Sequence, residues 1–153
     1  MKKLLVEALE AIKNLNLSMI KEKLMKIKGW TEPQSANAVE WYRRYLIVCA
    51  KYPEQNHVPT KVIDEVWHLH ILDTRKYASD CGAIFGEFKH HTPSYSDISA
   101  DRLDEDFDRM NQFYRVEFGE DPTTTGDNIG TCYSDELVRA ECDDSDGGQS
   151  DQN

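Results

Sequence analysis

Residues 59–93 read P-T-K-V-I-D-E-V-W-H-L-H-I-L-D-T-R-K-Y-A-S-D-C-G-A-I-F-G-E-F-K-H-H-T-P, and this stretch governs the interpretation of the whole chain. It contains four histidines, His68, His70, His90 and His91. Imidazole is both a common metal ligand and a common acid–base group, so this density of histidine marks the stretch as the candidate functional region. It does not define a reaction or a small-molecule substrate.

The first part of this stretch predicts one long helix over residues 60–80. Thr60 is a suitable N-cap and Gly82 a suitable end. With residues placed 100° apart, one broad apolar face emerges. The residues on that face are Ile63, Val66, Trp67, His70, Thr74, Tyr77 and Cys81. The residues expected to line a pocket there are Trp67, Thr74, Tyr77 and Cys81.

The same helix separates its two histidines. His68 and His70 are about 160° apart on a regular helix, so they are not expected to bind one metal ion. His70 points inward and needs hydrogen-bond partners, since a buried unpaired polar group costs about 1–3 kcal/mol. Thr74 and Tyr77 are the expected partners. His68 is expected at the rim, where it pairs with Asp64 at i, i+4.

The two remaining histidines precede a proline, which favours an extended loop. A loop histidine that folds back to the inward-facing histidine would form a pocket of two or three imidazoles. The predicted metal ligands are His70, His90 and His91, with His68 and Asp64 as a second set. Such ligands suit zinc, copper or iron, and three protein ligands leave a position open for water or substrate. Two alternatives stay open. In the first, His70 is a core histidine with its hydrogen bonds made, and His90 and His91 only pack in the loop. In the second, a histidine acts as an acid or base without a metal.

Composition and charge narrow the range of functions. The chain has 153 residues, 30% of them charged, and a net charge of −10, so general binding to nucleic-acid backbone is not expected. No apolar run reaches the roughly 18–20 residues of a membrane span. The cysteines lack C-x-x-C spacing, and Cys49 and Cys81 are expected to be reduced thiols in a cytoplasmic protein. No phosphate-binding glycine loop, H-E-x-x-H motif or nucleophile elbow is present.

Helical spacing of apolar residues recurs up to residue 119. It predicts an all-α fold, a compact bundle of four to five helices over residues 1–119. Thr31 is the expected cap of one helix, and Gly119 the expected end of the last. His57, in a short connection, is expected to be solvated. Residues 120–153 lack periodicity and are expected to form a flexible acidic tail.

Two classes of function follow from these features. The first is a metal-binding protein or metal-dependent enzyme. Hydrolysis would use Asp64 or Glu65 as a base, whereas oxidation by iron or copper would have Cys132 and Cys142 of the tail as substrates. The second is a non-catalytic acidic module that binds or inhibits a protein partner. The carboxylates of residues 101–108 and 143–146 favour this second class.

The central block also resembles a known family. V-P-T-x-x-I-D-E-V-W-H-L-H, followed by T-R-x-Y, D-C and F-G-x-F-x-H-H-T-P, is similar to the bacterial proteins called glycine-rich domain-containing protein-like. W-Y-R-R-Y-L before it and Y-x-x-x-F-G after it extend the likeness over residues 41–119, within a family-like core of 28–119. The resemblance implies a tail rich in glycine or cysteine, which this chain largely lacks. It implies no catalytic residues.

Overall fold

The structure, a computed structural model, describes residues 3–92 and 100–123, with backbone alone at residues 100 and 101. Within these ranges the chain is all-helical and contains no strand. The helices are α1 (Leu5–Lys13), α2 (Ser18–Lys28), α3 (Glu32–Lys51), α4 (Lys61–Leu72), α5 (Thr74–Phe85) and α6 (Ala100–Phe118). The predicted all-α fold is confirmed, although the described residues form six helices rather than four or five.

The helix ends follow from their capping residues. Thr31 starts α3 with a capping box, in which its side chain accepts from the Gln34 N–H and the Gln34 side chain accepts from the Thr31 N–H. The Thr60 hydroxyl accepts from the Ile63 N–H at 3.3 Å and starts α4. Gly119 follows α6 with φ +76°, a left-handed conformation that glycine adopts without strain. These three predicted ends are confirmed.

The predicted helix over residues 60–80 is two helices. The chain turns at Asp73 between α4 and α5, and α5 continues past Gly82 to Phe85. In a straight helix, residues ten apart would be about 15 Å apart. Here the Trp67 Nε1–H donates to the Tyr77 hydroxyl at 2.9 Å, which only a reversal of the chain allows. The hairpin of α4 and α5 therefore accounts for the additional helix.

Helix α3 is the centre of the bundle. It packs against α1, α2, α4 and α6, while α5 packs against α1 and α4. Its buried aromatic side chains stack on one another and on neighbouring helices: the rings of Tyr42 and Tyr45 are 6.4 Å apart, and Trp41 meets Tyr114 of α6 edge-on at 5.5 Å. Large apolar surfaces are thereby removed from water where α3 meets four other helices, which is the main stabilising contribution.

Arg43 of α3 holds the turn between α1 and α2. Its guanidinium donates to the carbonyl oxygen of Ile12 and, at 3.0 Å, to that of Leu15. Both carbonyls lie at or beyond the last turn of α1, where a helix leaves acceptors unpaired. The Ile12 carbonyl also accepts from the Leu15 N–H at 3.2 Å. Arg43 adds a charged donor at both carbonyls and fixes the first two helices to the central one.

The chain remains packed on the bundle beyond Gly119. Glu120 accepts from Arg44 at 2.6 Å, and the buried Asp121 accepts from Arg115 at 2.5 Å. The predicted flexible tail from residue 120 therefore begins with residues that contact α3 and α6. Its remainder, 124–153, lies outside the described residues, and the division into a domain of 1–119 and a tail stays a prediction. No described helix has the length and apolar character to cross a bilayer.

We expect Arg43→Ala to lower the free energy of unfolding by about 1.5–3 kcal/mol, because two buried carbonyls lose a charged donor. Urea denaturation monitored by circular dichroism measures this change. Lys21→Ala is the control, since Lys21 forms a more exposed ion pair with Glu32 that is worth about 1 kcal/mol or less. Equal effects of both substitutions would contradict a structural role for Arg43.

Candidate metal centre

The site depends on residues 86–92, which follow α5 and which we call the strap. Gly86 ends α5 with φ +76° and redirects the chain, so that the strap runs back along α4. The hydroxyl of Tyr77 donates to the carbonyl of Lys89 in the strap at 2.5 Å while it accepts from Trp67 Nε1–H. One buried phenol therefore joins α4, α5 and the strap.

The strap brings a third side chain to a pair on α4. Asp64 and His68 are neighbours at i, i+4, with Asp64 Oδ2 3.1 Å from His68 Nε2. His91 of the strap places its Nε2 2.7 Å from Asp64 Oδ1 and 3.1 Å from His68 Nε2. Ligand atoms from the three residues all lie within 4.8 Å of one another, a spacing suited to a metal ion. We call Asp64, His68 and His91 the triad.

The triad lies between the interior and the solvent. The side chain of Asp64 is 8% exposed and that of His91 is 16% exposed, whereas His68 is 48% exposed. The ring of His91 lies 4.3 Å from that of Trp67, which backs the site with an apolar wall. The predicted pairing of Asp64 with His68 at the rim is confirmed, but the meeting of His68 with His91 was not foreseen.

His70 faces the interior as predicted, but with different partners. Its exposed fraction is 1%. The Tyr42 hydroxyl lies 2.7 Å from Nδ1, and Nε2 lies 2.8 Å from Asp80 Oδ2. Thr74 and Tyr77 do not supply these bonds, because the turn after α4 brings Asp80 back to the histidine and moves Thr74 to the surface. The ring of Tyr77 instead packs edge-on against that of His70, with ring centres 4.9 Å apart.

The protonation of this buried group follows from its surroundings. Burial lowers the pKa of His70, although the hydrogen bond and charge of Asp80 act in the opposite direction. Burial raises the pKa of Tyr42 well above its usual value. Both hydrogen bonds form when the imidazole is neutral and Tyr42 keeps its proton: Nε2–H donates to Asp80, and Nδ1 accepts from Tyr42. Both ring nitrogens of His70 are thus already used, and His70 does not join the loop histidines in a cluster.

The other predicted site residues are dispersed. His90 is exposed, and its ring packs against Phe88 at 4.8 Å without joining the triad. Cys81 is a buried free thiol, as is Cys49. Burial raises the pKa of both thiols, that of Cys49 to about 11, so neither is an activated nucleophile.

A cavity of about 630 Å³ adjoins the triad. It lies between the connection after α3, the strap and the start of α6. Asp64 and His91 form part of its wall, together with Trp67, so two triad residues face it. Of the four residues predicted to line a pocket, only Trp67 lines this one. Tyr77 lies behind the wall and holds the strap in place.

His57 lines the cavity and is not solvated as expected. It is partly buried, and its Nε2–H donates to the carbonyl of Tyr52 at 2.8 Å. Burial, and secondarily the positive charge of Lys89, lowers the pKa of His57 to about 4. His57 is therefore neutral at neutral pH. The sequence offered no periodicity in this connection from which its burial could be inferred.

Fold and site together define an all-helical protein with a histidine–carboxylate cluster beside a cavity. Residues 7–120 match the family described as UCP032817-like, and the chain belongs to that family. The match includes α2 and all but the first two residues of α1, which the resemblance over residues 41–119 did not. It also corrects that resemblance: no glycine-rich domain family is indicated. Neither the curated proteins nor the solved structures contain a significant match to this chain.

We expect Tyr77→Phe to destabilise the protein by about 1–3 kcal/mol, since the Trp67 N–H and the Lys89 carbonyl both lose their partner. Amide hydrogen exchange in the strap should also become faster. Tyr52→Phe is the matched control, because the Tyr52 hydroxyl donates only to Glu117. Unchanged exchange in the strap of the Tyr77 variant would show that other contacts hold this segment.

His57 should make stability depend on pH. Because its pKa is about 4 in the folded protein and about 6.5 when unfolded, the unfolded chain binds the proton first as pH falls. Protonation of His57 does not change the free energy of unfolding above pH ~6.5. Between pH ~6.5 and pH ~4 it lowers that free energy by up to about 3 kcal/mol. Unfolding free energies of the native protein and of His57→Gln, measured across this range, should therefore converge or cross as pH falls. Parallel curves would contradict the prediction.

Proposed function

We propose that the triad binds a divalent transition-metal ion and that the protein is a metal-dependent enzyme acting on a small molecule in the adjoining cavity. The observation that carries the proposal is the convergence of Asp64, His68 and His91. Two nitrogens and one carboxylate, from a helix and the strap, come together here. His91 Nε2 is 2.7 Å from Asp64 Oδ1, His68 Nε2 is 3.1 Å from Asp64 Oδ2, and the two Nε2 atoms are 3.1 Å apart.

The 3.1 Å between the two Nε2 atoms suits a shared ion. Two ligand atoms that are each about 2.0–2.1 Å from one ion are about 2.9 Å apart at a 90° angle and about 3.3 Å apart at a tetrahedral angle. A hydrogen-bonded cluster without metal explains the contacts of Asp64 with each imidazole. It explains less well why the His68 and His91 Nε2 atoms approach each other to 3.1 Å as well.

The charge of the site also favours a cation. A buried carboxylate is costly unless it is paired. Within the described residues, the ion pairs of Asp64 involve only the two imidazoles, which carry charge only when protonated. A divalent ion would supply the positive charge that pairs with Asp64. Because protons compete for the same atoms, metal affinity should fall at acid pH.

The ligand set indicates which metals fit. Two histidines and one carboxylate are typical of non-haem iron(II) sites and of catalytic zinc sites with an open position. Copper(II) also binds imidazole and carboxylate, with a preference for square-planar or tetragonal geometry. Three protein ligands would leave room for water or substrate on the side where Asp64 and His91 face the cavity. This open position distinguishes a catalytic arrangement from a closed structural one.

The alternative, an acidic interaction module, has less support. Asp106 is directed inward, where it accepts from Asn56 at 3.0 Å and from Arg109 at 2.9 Å. Asp106 is therefore withdrawn from the acidic face of α6, whereas Asp104, Glu105 and Asp108 are exposed. The second acidic group, residues 143–146, lies outside the described residues. Binding to a protein partner stays a prediction.

Elemental analysis of the untagged protein, purified without chelator and then incubated with zinc or with iron(II) under anaerobic conditions, should find about one ion per chain. His91→Gln and Asp64→Asn should lower occupancy at least about tenfold, since each removes one of three ligands. Cobalt(II) substitution provides a spectroscopic check, because its visible absorption changes when a ligand is lost.

His90→Gln is the matched control, because His90 adjoins His91 but is outside the triad. It should retain the metal. A native protein that binds none of these ions stoichiometrically, or a His90 variant that loses metal as fully as the His91 variant, would overturn the proposal.

A further inference from the structure

We infer that the cavity binds a small organic anion with an apolar body, and that Lys89 of the strap pairs with its negative group. This inference deepens the proposed function by naming its substrate class. It rests on that function only for the reacting end of the substrate, since the anion subsite itself requires no metal.

Lys89 differs from other lysines of the chain. Lys21, Lys28, Lys51 and Lys76 have partly buried side chains, and each forms an ion pair with a carboxylate. Lys89 is also partly buried, yet no carboxylate among the described residues lies within 4.0 Å of its ammonium. In a protein with a net charge of −10, a partly buried ammonium that has no carboxylate partner in the described part of the chain is unusual.

Aromatic rings hold this ammonium in the cavity. Its Nζ lies 5.7 Å from the ring centre of Trp67 and 5.7 Å from that of Phe85. Such cation–π contacts compensate in part for lost hydration. They leave the positive charge unneutralised, so the ammonium remains available to an anionic ligand.

The other groups nearby do not neutralise Lys89. The thiol of Cys49 faces it, but burial raises the pKa of that thiol to about 11, so it remains uncharged at neutral pH. His57 is neutral there as well. Asp64, Glu87 and Asp106 also line the cavity, but none has a carboxylate oxygen within 4.0 Å of Lys89 Nζ. Asp64 belongs to the triad, and Asp106 is already bonded to Asn56 and Arg109. Among the described residues no carboxylate pairs with Lys89, so we assign this role to an external anion.

The size and walls of the cavity define the rest of the ligand. A volume of about 630 Å³ is within the usual range for small-molecule sites, about 300–1,000 Å³. Tyr45, Trp67, Phe85 and Phe88 supply aromatic walls. Lys89 Nζ and the ring of His91 both lie near Trp67, which places them within about 10 Å of each other. A single small molecule can thus reach from the ammonium to the triad.

The test is calorimetric titration of the metal-free full-length protein with benzoate and with benzyl alcohol, which share a ring but differ in charge. Benzoate should bind more tightly than benzyl alcohol. Its affinity should fall about tenfold or more in Lys89→Met, because a charge-assisted bond is lost, and should be largely kept in Lys89→Arg. Lys21→Met is the control for a surface lysine and should bind benzoate as the native chain does.

The native protein alone offers a second measurement. Benzoate affinity should fall as sodium chloride is raised, while benzyl alcohol affinity should not. Benzoate that binds no more tightly than benzyl alcohol, or that binds equally to Lys89→Met, would overturn the inference. Repeating the titrations on zinc-loaded protein separates the two proposals. Lys89-dependent binding of benzoate by a protein that takes up no stoichiometric metal would contradict only the metal site. Metal binding without benzoate binding would contradict only the anion subsite.

Discussion

The hydroxyl of Tyr77 is the group on which the architecture of the site depends. It accepts from the indole of Trp67 and donates to the carbonyl of Lys89, so a single buried oxygen connects two helices and the strap. Both partners are polar groups that would be costly to leave unpaired away from water. The position of Lys89 is thereby fixed, and that of His91, two residues later, follows from it.

Much of the fold could be predicted because its signals are local. The caps at Thr31 and Thr60 and the glycine at position 119 depend on side chains within a few residues of each helix end. The inward orientation of His70 also followed from helical spacing, as did the pairing of Asp64 with His68. In each case the relevant geometry is set within one or two turns of helix.

The features that were missed depend on distant contacts. The turn at Asp73 escaped detection because Trp67, His70 and Tyr77 would share a face on one straight helix, and they remain buried in the hairpin too. A periodic pattern therefore fits both arrangements. The sequence also did not predict that the strap packs beside α4. His91 reaches Asp64 instead of His70 because Tyr42 and Asp80 already occupy the imidazole of His70.

The triad draws two residues from a rigid helix and one from a segment without regular structure. An ion held there would cross-link the strap to α4 and reduce its freedom. Because the strap also carries Lys89, occupancy of the metal centre and occupancy of the cavity would be thermodynamically linked, each raising the affinity for the other by the same factor. Removal of the metal would then release the strap and weaken ligand binding in the cavity, and metal supply would control occupancy of the cavity.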